Sequence, residues 1–246
     1  MTIDVAVYRT PAPDTPSAWA SYTVYLAERA TVLDALISIA AEHDSTLAFR
    51  AECRSGICGA CAGLVNGRPS LFCQTLITDA LDLPRLPGSG AALGIAPLPP
   101  FPVLKDLVVD VDGFFEAFRT AQTWIEPAEG YSGLLPPALA EQLADAASCI
   151  LCALCVNGAP PTVASPAVAA RLLRISRDPR DAHGVDRLTR LGPADPRRHA
   201  GALAAHLAAC CPAGVEVRRL AAVEPNGPGT PMPARDGASL DGARDA

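Results

Sequence analysis

The sequence predicts an α+β protein in which a small β-sheet wrapped over one helix is followed by an all-helical part. Up to about residue 73, β-branched and aromatic runs alternate with turn residues, whereas beyond residue 102 the apolar residues follow helical spacing. A stretch crowded with Pro and Gly, LPRLPGSGAALGIAPLPPFP at 83–102, lies between the two and cannot continue a helix. We therefore expect two domains, at 1–102 and 103–223.

The first part begins with a predicted β-hairpin over 3–27, because the strand-favouring runs IDVAVY and YTVYLA flank the turn-favouring PAPDTP. Thr31 then predicts the start of a helix, VLDALISIAAEH, since a threonine hydroxyl caps the first amides of a helix. Asp34 in the first turn complements the positive helix end. A second hairpin is predicted at 62–72, where Asn66-Gly67 is a strong signal for a tight turn.

In the second part, the spacing of apolar residues predicts four helices, in FFEAFRTAQTW, ALAEQLADAAS, VAARLLRIS and AGALAAHLAA. The third begins at Ser165-Pro166, with Ser as the cap and Pro in the first turn. Arginines over 171–198 alternate with aspartates, and this pattern predicts a solvated helical surface. Asp181 and Arg187 are among the residues predicted to lie on it. From residue 224 the chain is Gly, Pro and charge without periodicity, so 224–246 is predicted to be a disordered tail.

Composition excludes several function classes. The formal net charge of −6 argues against nucleic acid or anionic lipid as a partner, since both favour basic surfaces. The start, MTIDVAVYR, lacks the pattern of a secretory signal, and no apolar run approaches the roughly 20 residues that span a bilayer. We therefore expect a cytoplasmic protein. Nine cysteines in such a chain indicate metal or redox ligands rather than disulfides.

The first cysteine motif, in ECRSGICGACAGLVNGRPSLFC, has the spacing typical of a plant-type [2Fe–2S] centre. Two irons bridged by two sulfides need four thiolates from the protein, three of them here from one loop. Gly56 and Gly59 allow that loop a positive φ and a close approach of its amides to sulfur. The alternative is a zinc site, although zinc ligands are usually paired as two short Cys-x-x-Cys units. The predicted ligands are Cys53, Cys58, Cys61 and Cys73.

The second motif, CILCALC, matches the start of a bacterial ferredoxin run. The next cysteine of such a run, which normally ligates a different cluster, is replaced by Ala159. A distant Cys-Pro is then needed as the last ligand of a [4Fe–4S] cube, and Cys211-Pro212 supplies one, with the adjacent Cys210 as an alternative. Structural zinc or buried thiols are the other interpretations of three cysteines on one loop. The predicted cube ligands are Cys149, Cys152, Cys155 and Cys211.

These motifs resemble the iron–sulfur subunit of succinate dehydrogenase and fumarate reductase. The resemblance is carried by CRSGICGAC with Cys73, by FPVLKDLVVDVDGFF at 101–115, by CILCALC, by SPAVAARLLRISRDPRD and by CPAGV, and it extends to about Val223. It implies an N-terminal β-grasp plant-type ferredoxin domain and a C-terminal α-helical ferredoxin domain. It also implies a role in relaying electrons, through three clusters in series, between an FAD-bearing flavoprotein subunit and a quinone at a membrane anchor.

The sequence departs from this family at the third cluster, [3Fe–4S]. Its three cysteine ligands map onto Ala159, Gly201 and Leu207, and the aromatic residues that shape the family's quinone pocket map onto 161–164. We therefore predict that [3Fe–4S] is absent and that quinone is not reduced at the usual place. His206 is next to one vacated position and is a weaker candidate ligand, since a histidine on an alanine-rich helix is more often packed or half-exposed.

The resemblance leaves the partners partly open. It implies a flavoprotein subunit that performs the substrate chemistry, because nothing in this chain resembles a nucleophile with its base or a nucleotide-binding loop. The outlet is then a soluble carrier or a membrane anchor that holds the chain on the inner face of the cell membrane, or electrons flow inward to the flavin. Two alternatives are a stand-alone two-cluster ferredoxin and a decayed structural subunit without redox activity.

Overall fold

A computed structural model describes residues 1–130, 134–161, 165–189, 191–218 and 220. The predicted tail at 224–246 lies outside these residues, and so do 162–164 of the stretch compared with the family's quinone pocket. A mixed β-sheet is followed by a helical region, which confirms the predicted α+β fold class.

The first part is built on a five-stranded mixed sheet with the order β2-β1-β5-β3-β4. β1 pairs antiparallel with β2, as the predicted first hairpin requires, and β3 pairs antiparallel with β4 around Asn66-Gly67. β5 is the central strand, parallel to β1 and antiparallel to β3. The strands are β1 Thr2–Arg9, β2 Ala18–Tyr25, β3 Ala62–Val65, β4 Arg68–Leu71 and β5 Leu93–Ala96.

β5 lies inside the Pro- and Gly-rich stretch at 83–102, which the sequence predicts to be the domain boundary. All four of its residues are buried, so it has no polar face and no alternation to reveal it. A short apolar run between Gly and Pro is typical of a strand covered on both faces, but its periodicity is uninformative. The stretch at 83–102 thus contributes the central strand of the sheet.

One helix, α1 at Val32–Ser38, lies against the sheet and continues as a π-helical turn at Ile39–His43. The predicted cap is present, since Thr31 Oγ1 accepts from the amide of Asp34 at 3.2 Å and Asp34 Oδ2 accepts from the amide of Thr31 at 2.8 Å. This reciprocal pair is a capping box. A short helix, α2 at Ile77–Leu81, follows the second hairpin.

A small hairpin, β6 at Val103–Lys105 and β7 at Val108–Val109, is bound to the first part through Asp106. The buried carboxylate of Asp106 accepts from the amide of Thr10 at 3.0 Å and from that of Ala48 at 2.9 Å, and it pairs with Arg9 Nε at 2.9 Å. Residues 103–109 therefore pack with the sheet that precedes them. The domain boundary near residue 102 stays a prediction.

The second part contains all four predicted helices and a further short one. α5 begins with Pro166 in its first turn, as expected, and α7 ends at Cys210. Single 3-10 turns at Leu154–Val156, Gly192–Ala194 and Pro196–His199 join them. The helices are α3 Asp112–Thr120, α4 Pro137–Ala147, α5 Pro166–Ser176, α6 Asp186–Thr189 and α7 Ala200–Cys210.

The prediction of a solvated surface over 171–198 is wrong at Arg187 and Asp181. The side chain of Arg187 is 5% exposed and that of Asp181 is 0% exposed. The guanidinium donates from Nε to Oδ2 at 2.9 Å and from NH2 to Oδ1 at 2.8 Å, so the two charges satisfy each other in the interior. Sequence alternation of charges cannot distinguish a pair of this kind from two exposed residues.

Buried side chains from both parts form one continuous hydrophobic core. Leu36, Phe72 and Ile95 of the first part belong to the same cluster as Leu154 and Leu173 of the second. β4 lies next to the 3-10 turn at 154–156, so the sheet edge and the second cysteine loop are in contact. Both cysteine motifs are thus positioned at the junction of the two parts.

Candidate iron–sulfur centres

The four cysteines of the first motif come together at one end of the sheet, in two pairs. Cys53 and Cys58 lie on the loop before β3 and are exposed, whereas Cys61 directly precedes β3, Cys73 follows β4, and both are buried. The Cys58 thiol is within hydrogen-bonding contact of Cys53, and the Cys73 thiol is within contact of Cys61. Two pairs of sulfurs, one exposed and one buried, suit a centre with two irons.

Backbone amides converge on the Cys53 sulfur. The amides of Ser55 and Ile57 each donate to Sγ at 3.4 Å, and that of Cys58 donates at 3.3 Å. These three donors stabilise the thiolate and lower the pKa of Cys53 to about 6. The positive φ values of Arg54 and Gly56 turn the loop so that its amides face inward. A loop of this form favours a negatively charged sulfur centre.

The buried pair has fewer donors and a different electrostatic environment. The amide of Cys73 donates to Cys61 Sγ at 3.5 Å. Burial, followed by the neighbouring Cys73 side chain, raises the pKa of Cys61 to about 12, so a metal must displace the proton from this thiol. The side-chain amide of Gln74 donates to Cys73 Sγ at 3.7 Å and to the Cys73 carbonyl at 3.1 Å. Gln74 thereby supplies a side-chain donor to this end of the site.

The second motif surrounds a cavity at the ends of α5 and α7. Four cysteines line it together with apolar side chains that include Ala167 of α5 and Leu207 of α7. Leu151 and Ala153 have φ values of +57° and +62°, a conformation that non-glycine residues adopt only under constraint. These left-handed residues flank Cys152 and curl the loop around the cavity. The lining cysteines are Cys149, Cys152, Cys155 and Cys211.

The thiols around this cavity also receive backbone donors. The amide of Leu151 donates to Cys149, that of Leu154 to Cys152, and that of Ala167 in the first turn of α5 to Cys155. The positive end of α5 therefore faces the site. Burial nevertheless dominates and raises the pKa of all three thiols, that of Cys152 to about 11, so these thiols need a metal to become thiolates at neutral pH.

Cys210 does not line the cavity that Cys211 lines, although it is near enough to Cys155 to contribute to the raised pKa of that thiol. Cys210 is the last residue of α7 and is half-buried, and burial raises its pKa to about 11. Cys211 follows the helix in an extended conformation with φ −83° and ψ 114°, which separates the directions of the two neighbouring side chains. The backbone thus presents one of the two cysteines to the cavity.

The positions onto which the family's third-cluster ligands are predicted to map carry no sulfur. Leu207 is 2% exposed and forms part of the wall of the cysteine-lined cavity, whereas Gly201 is exposed and Ala159 is half-buried. His206 Nε2 lies 2.7 Å from the carbonyl oxygen of Cys155, so this nitrogen is the protonated one and donates to the second loop. His206 thereby joins α7 to the loop that bears Cys155.

The two cysteine loops are in direct contact. Gly59, between Cys58 and Cys61, lies against the backbone of Cys152 so closely that a Cβ on Gly59 would be 2.8 Å from both Cα and Cβ of Cys152. The sequence predicts every cysteine of the two sites, but it does not reveal this approach, the donor from Gln74 or the orientation of α5. The glycine at position 59 indicates that some group approaches the loop closely, but it does not indicate that this group is the backbone of Cys152.

Known proteins resemble this chain over most of its length. A family model described as the 2Fe-2S iron-sulfur cluster binding domain matches residues 2–116. The chain is 32% identical, over 226 residues, to the fumarate reductase iron-sulfur subunit of Mycobacterium tuberculosis, which covers 88% of this chain and 87% of that protein. The chain belongs to the iron–sulfur subunits of succinate dehydrogenase and fumarate reductase.

Further members of this family support the assignment. The mitochondrial succinate dehydrogenase [ubiquinone] iron-sulfur subunit of Dictyostelium discoideum is 34% identical over 199 residues, with 75% of this chain and 67% of that protein covered. Among solved structures, a chain of the Mycobacterium smegmatis Sdh1 complex in the apo form superposes with a TM-score of 0.72 at 23% identity, covering 88% of this chain and 90% of that chain. That superposition shows a shared fold.

Family membership fixes the role of the subunit in outline. It is an electron-transfer subunit of a succinate dehydrogenase/fumarate reductase-type oxidoreductase, it contains a [2Fe–2S] cluster-binding domain, and its place in such a complex implies a flavoprotein partner. The sequence predictions of the family, of an oxidoreductase subunit and of a [2Fe–2S] domain are confirmed. Within the part of the chain that the structure describes, every helix is too short or too polar to span a bilayer.

Proposed function

We propose that this subunit relays electrons between an FAD-bearing flavoprotein subunit and an acceptor with two iron–sulfur clusters, and without the family's [3Fe–4S] cluster and usual quinone site. The cysteine-lined cavity of the second part carries this proposal. It supports a [4Fe–4S] cube in addition to the [2Fe–2S] cluster. Bound clusters of these types supply one-electron carriers whose potentials depend on charge, hydrogen bonds to sulfur and exposure.

The first cluster fits the pairing of the cysteines. We assign Cys53 and Cys58 to one iron and Cys61 and Cys73 to the other, because the thiols of each pair are already in contact. The three amides that donate to Cys53 complement the charge of a thiolate bound to iron. A single zinc ion, which binds four ligands around one centre, suits the site less well, because one cysteine pair is exposed and the other is buried.

The second cluster fits the cavity. Its four lining cysteines are the number that a cube requires from the protein, and amides of both the loop and α5 donate to three of their sulfurs. The remaining wall is apolar, which excludes water and gives the bound sulfurs a low-dielectric surrounding. Cys211 is our choice for the last ligand because it lines the cavity and Cys210 does not.

The loss of the third cluster is supported by what stands at its ligand positions. Alanine, glycine and leucine side chains at 159, 201 and 207 have no atom that binds iron, and Leu207 is packed into the wall of the cube site. His206 is engaged with the Cys155 carbonyl rather than with a neighbouring sulfur. The outlet we propose is therefore a soluble carrier, or a membrane anchor that is contacted in another way.

The proposed partners agree with the exposed surface of the first loop. Ile57, between Ser55–Gly56 and Cys58, is 69% exposed, so an apolar side chain stands beside the exposed cysteine pair. We propose that the flavoprotein docks there and that the complex is cytoplasmic or peripheral on the inner face of the membrane. A stand-alone ferredoxin remains the alternative, and the presence or absence of a flavin-bearing chain after gentle purification separates the two.

The cluster content is tested by EPR with iron quantified on the same anaerobic sample. We expect about six irons per chain, reduced signals of [2Fe–2S] and [4Fe–4S] after dithionite, and no [3Fe–4S] signal in the oxidised protein. An oxidised [3Fe–4S] signal, or about nine irons per chain, contradicts the loss of the third cluster. A colourless protein after anaerobic reconstitution would favour a structural subunit.

Replacing Gln74 with Leu is expected to lower the midpoint potential of the [2Fe–2S] cluster. The variant removes the amide donor to Cys73 Sγ, and hydrogen bonds to cluster sulfur stabilise the reduced state, which carries the additional negative charge. Gln74→Glu, which replaces the donor by a negative charge at the same length, should lower the potential further. EPR-monitored redox titration measures both.

The cube serves as the internal control in these titrations, because Gln74 donates to the first site only. Its midpoint potential should be unchanged in both variants. A [2Fe–2S] potential that is the same in Gln74→Leu as in the wild type would show that the 3.7 Å contact has no effect on the cluster.

A further inference from the structure

The contact between Gly59 and Cys152 is closer than any side chain would allow. A Cβ built on Gly59 would lie 2.8 Å from Cα, 2.8 Å from Cβ and 3.2 Å from the amide nitrogen of Cys152. The first two distances are shorter than the contacts that real Cβ atoms make, and the atoms concerned are largely backbone, which cannot swing aside. Gly59 also has a φ of +71°, which favours glycine for a second reason.

Buried packing on both sides holds this contact in place. Cys61 and Phe72 on the first side are 4% and 1% exposed, and Ala153 and Leu154 on the second are 3% and 1% exposed. All four belong to the one core that joins the two parts of the chain. The loops are therefore fixed against each other, and a group added between them has to displace packed backbone.

We propose that Gly59 is a positioning residue, whose missing side chain sets the separation of the two clusters by holding the first cysteine loop against Cys152. This rests on the ligand sets of the proposed function, in which Cys58, Cys61 and Cys152 all bind iron. Gly59 is part of the first ligand loop, and it is in van der Waals contact with Cys152, a ligand of the cube. The exchange between the centres moves one electron and neither makes nor breaks a bond.

The first variant to test is Gly59→Ala, with Gly56→Ala as its matched control. Gly56 is in the same loop and has nearly the same φ, +73°, so alanine is similarly strained there. Its Cβ, however, would meet Cγ and Cδ of Gln74 at 2.9 and 3.0 Å, which are atoms of an exposed, flexible side chain. The control reproduces the backbone strain without separating the two cysteine loops. Because it also displaces Gln74, a donor to Cys73 Sγ, the compared quantity is the magnetic coupling and not the [2Fe–2S] potential.

The readout is the magnetic coupling between the two clusters in the dithionite-reduced holo-complex. Dipolar coupling between two spins falls steeply with their separation, so EPR broadening and spin relaxation report the distance directly. We expect Gly59→Ala to retain the iron content and both signals while the coupling falls by a fraction of its wild-type value, as the inverse-cube dependence on distance requires for a sub-ångström increase in separation, and Gly56→Ala to keep the wild-type coupling.

Wild-type coupling in a fully loaded Gly59→Ala variant overturns the proposal, and so does an equal loss in both variants, which would assign the effect to loop strain. If Gly59→Ala fails to assemble the first cluster while Gly56→Ala assembles it, Gly59 is needed for cluster assembly rather than for spacing, and the proposal is overturned. Two magnetically independent signals in the wild-type complex overturn it as well. A wild-type protein with about two irons and no cube signal is recognised by its iron content and overturns the proposed function together with this inference.

Discussion

Replacing Cys211 with Ser should remove the cube, and with it about four of the roughly six irons per chain, while replacing Cys210 with Ser should leave both clusters in place. Cys211 lines the cavity together with the three cysteines of the loop. Cys210 is adjacent in sequence, but it ends α7 and lies outside that cavity. Each variant replaces one cysteine sulfur by oxygen, and the two positions are adjacent, so each variant is the matched control of the other.

Iron analysis and EPR of the two variants, purified anaerobically, measure this difference. The [2Fe–2S] signal is the internal standard, because the first site shares no cysteine with the second. Loss of the cube in Cys210→Ser with retention in Cys211→Ser would reverse our assignment of the last ligand. Retention of the cube in both variants would show that either cysteine can serve as its last ligand. In that case Cys211→Ala should also keep the cube, with Cys210 as the ligand.

Replacing Asp181 with Asn should lower the free energy of unfolding by about 3 kcal/mol, because the buried guanidinium of Arg187 then keeps only the partly exposed carboxylate of Glu126, at 3.6 Å, as a charge partner. Asp181 also accepts from the amides of Glu126 and Gly184, both at 2.9 Å, and thereby ties the segment before α4 to the loop before α6. Arg187 in turn donates to the Gln122 carbonyl at 2.9 Å. The pair therefore connects several segments that have no regular structure of their own.

The pH dependence of this effect follows from the pKa of Asp181. Burial by itself raises that pKa, but the hydrogen bonds from Arg187 and from the amides of Glu126 and Gly184, together with the charge of Arg187, outweigh it and hold the pKa below its ordinary value. A carboxylate with a depressed folded pKa contributes its full stability above the unfolded value, about 3.9, and loses it as the pH falls through the folded value. The difference between wild type and Asp181→Asn should be constant from about pH 5 to 8 and narrow below about pH 4.

Denaturant unfolding across that pH range measures both the size and the pH dependence. Asp186→Asn is the control, since Asp186 is exposed on α6 and its replacement should change the free energy of unfolding by under about 1 kcal/mol. A loss in Asp181→Asn that is no larger than in the control would show that the Arg187 pair contributes little to stability.

Local signals in the sequence predicted the elements whose formation depends on neighbouring residues. Thr31 caps α1 as predicted, with Asp34 adding the reciprocal bond of a capping box, and Asn66-Gly67 forms the turn of the second hairpin. β5 was missed because a strand buried on both faces has no alternation, and its identity depends on β1, almost ninety residues away in sequence. Arg187 was misplaced because burial of a charge is decided by a partner that folding brings near.

The same distinction, between features set by neighbouring residues and features set by distant partners, applies to the candidate sites. Cysteine spacing predicts ligand sets because a cluster needs sulfurs at short, fixed separations, and the structure brings Cys211 to the cavity of the CILCALC loop from a position 56 residues beyond Cys155. The donors to these sulfurs are mostly backbone amides, which every residue carries, so no residue type reveals them. The approach of Gly59 to Cys152 joins two motifs that sequence alone treats separately.

The continuous core of the two parts also has a consequence for biogenesis. Cys61, Cys73 and Cys155 are only 4%, 7% and 8% exposed and belong to that core. A delivery protein that hands over iron and sulfide needs access to thiols, and the finished packing leaves these three covered. Loading therefore has to precede final closure of the chain. Maturation of this subunit then becomes an ordered process, in which the nascent fold stays open until iron and sulfide have reached these thiols.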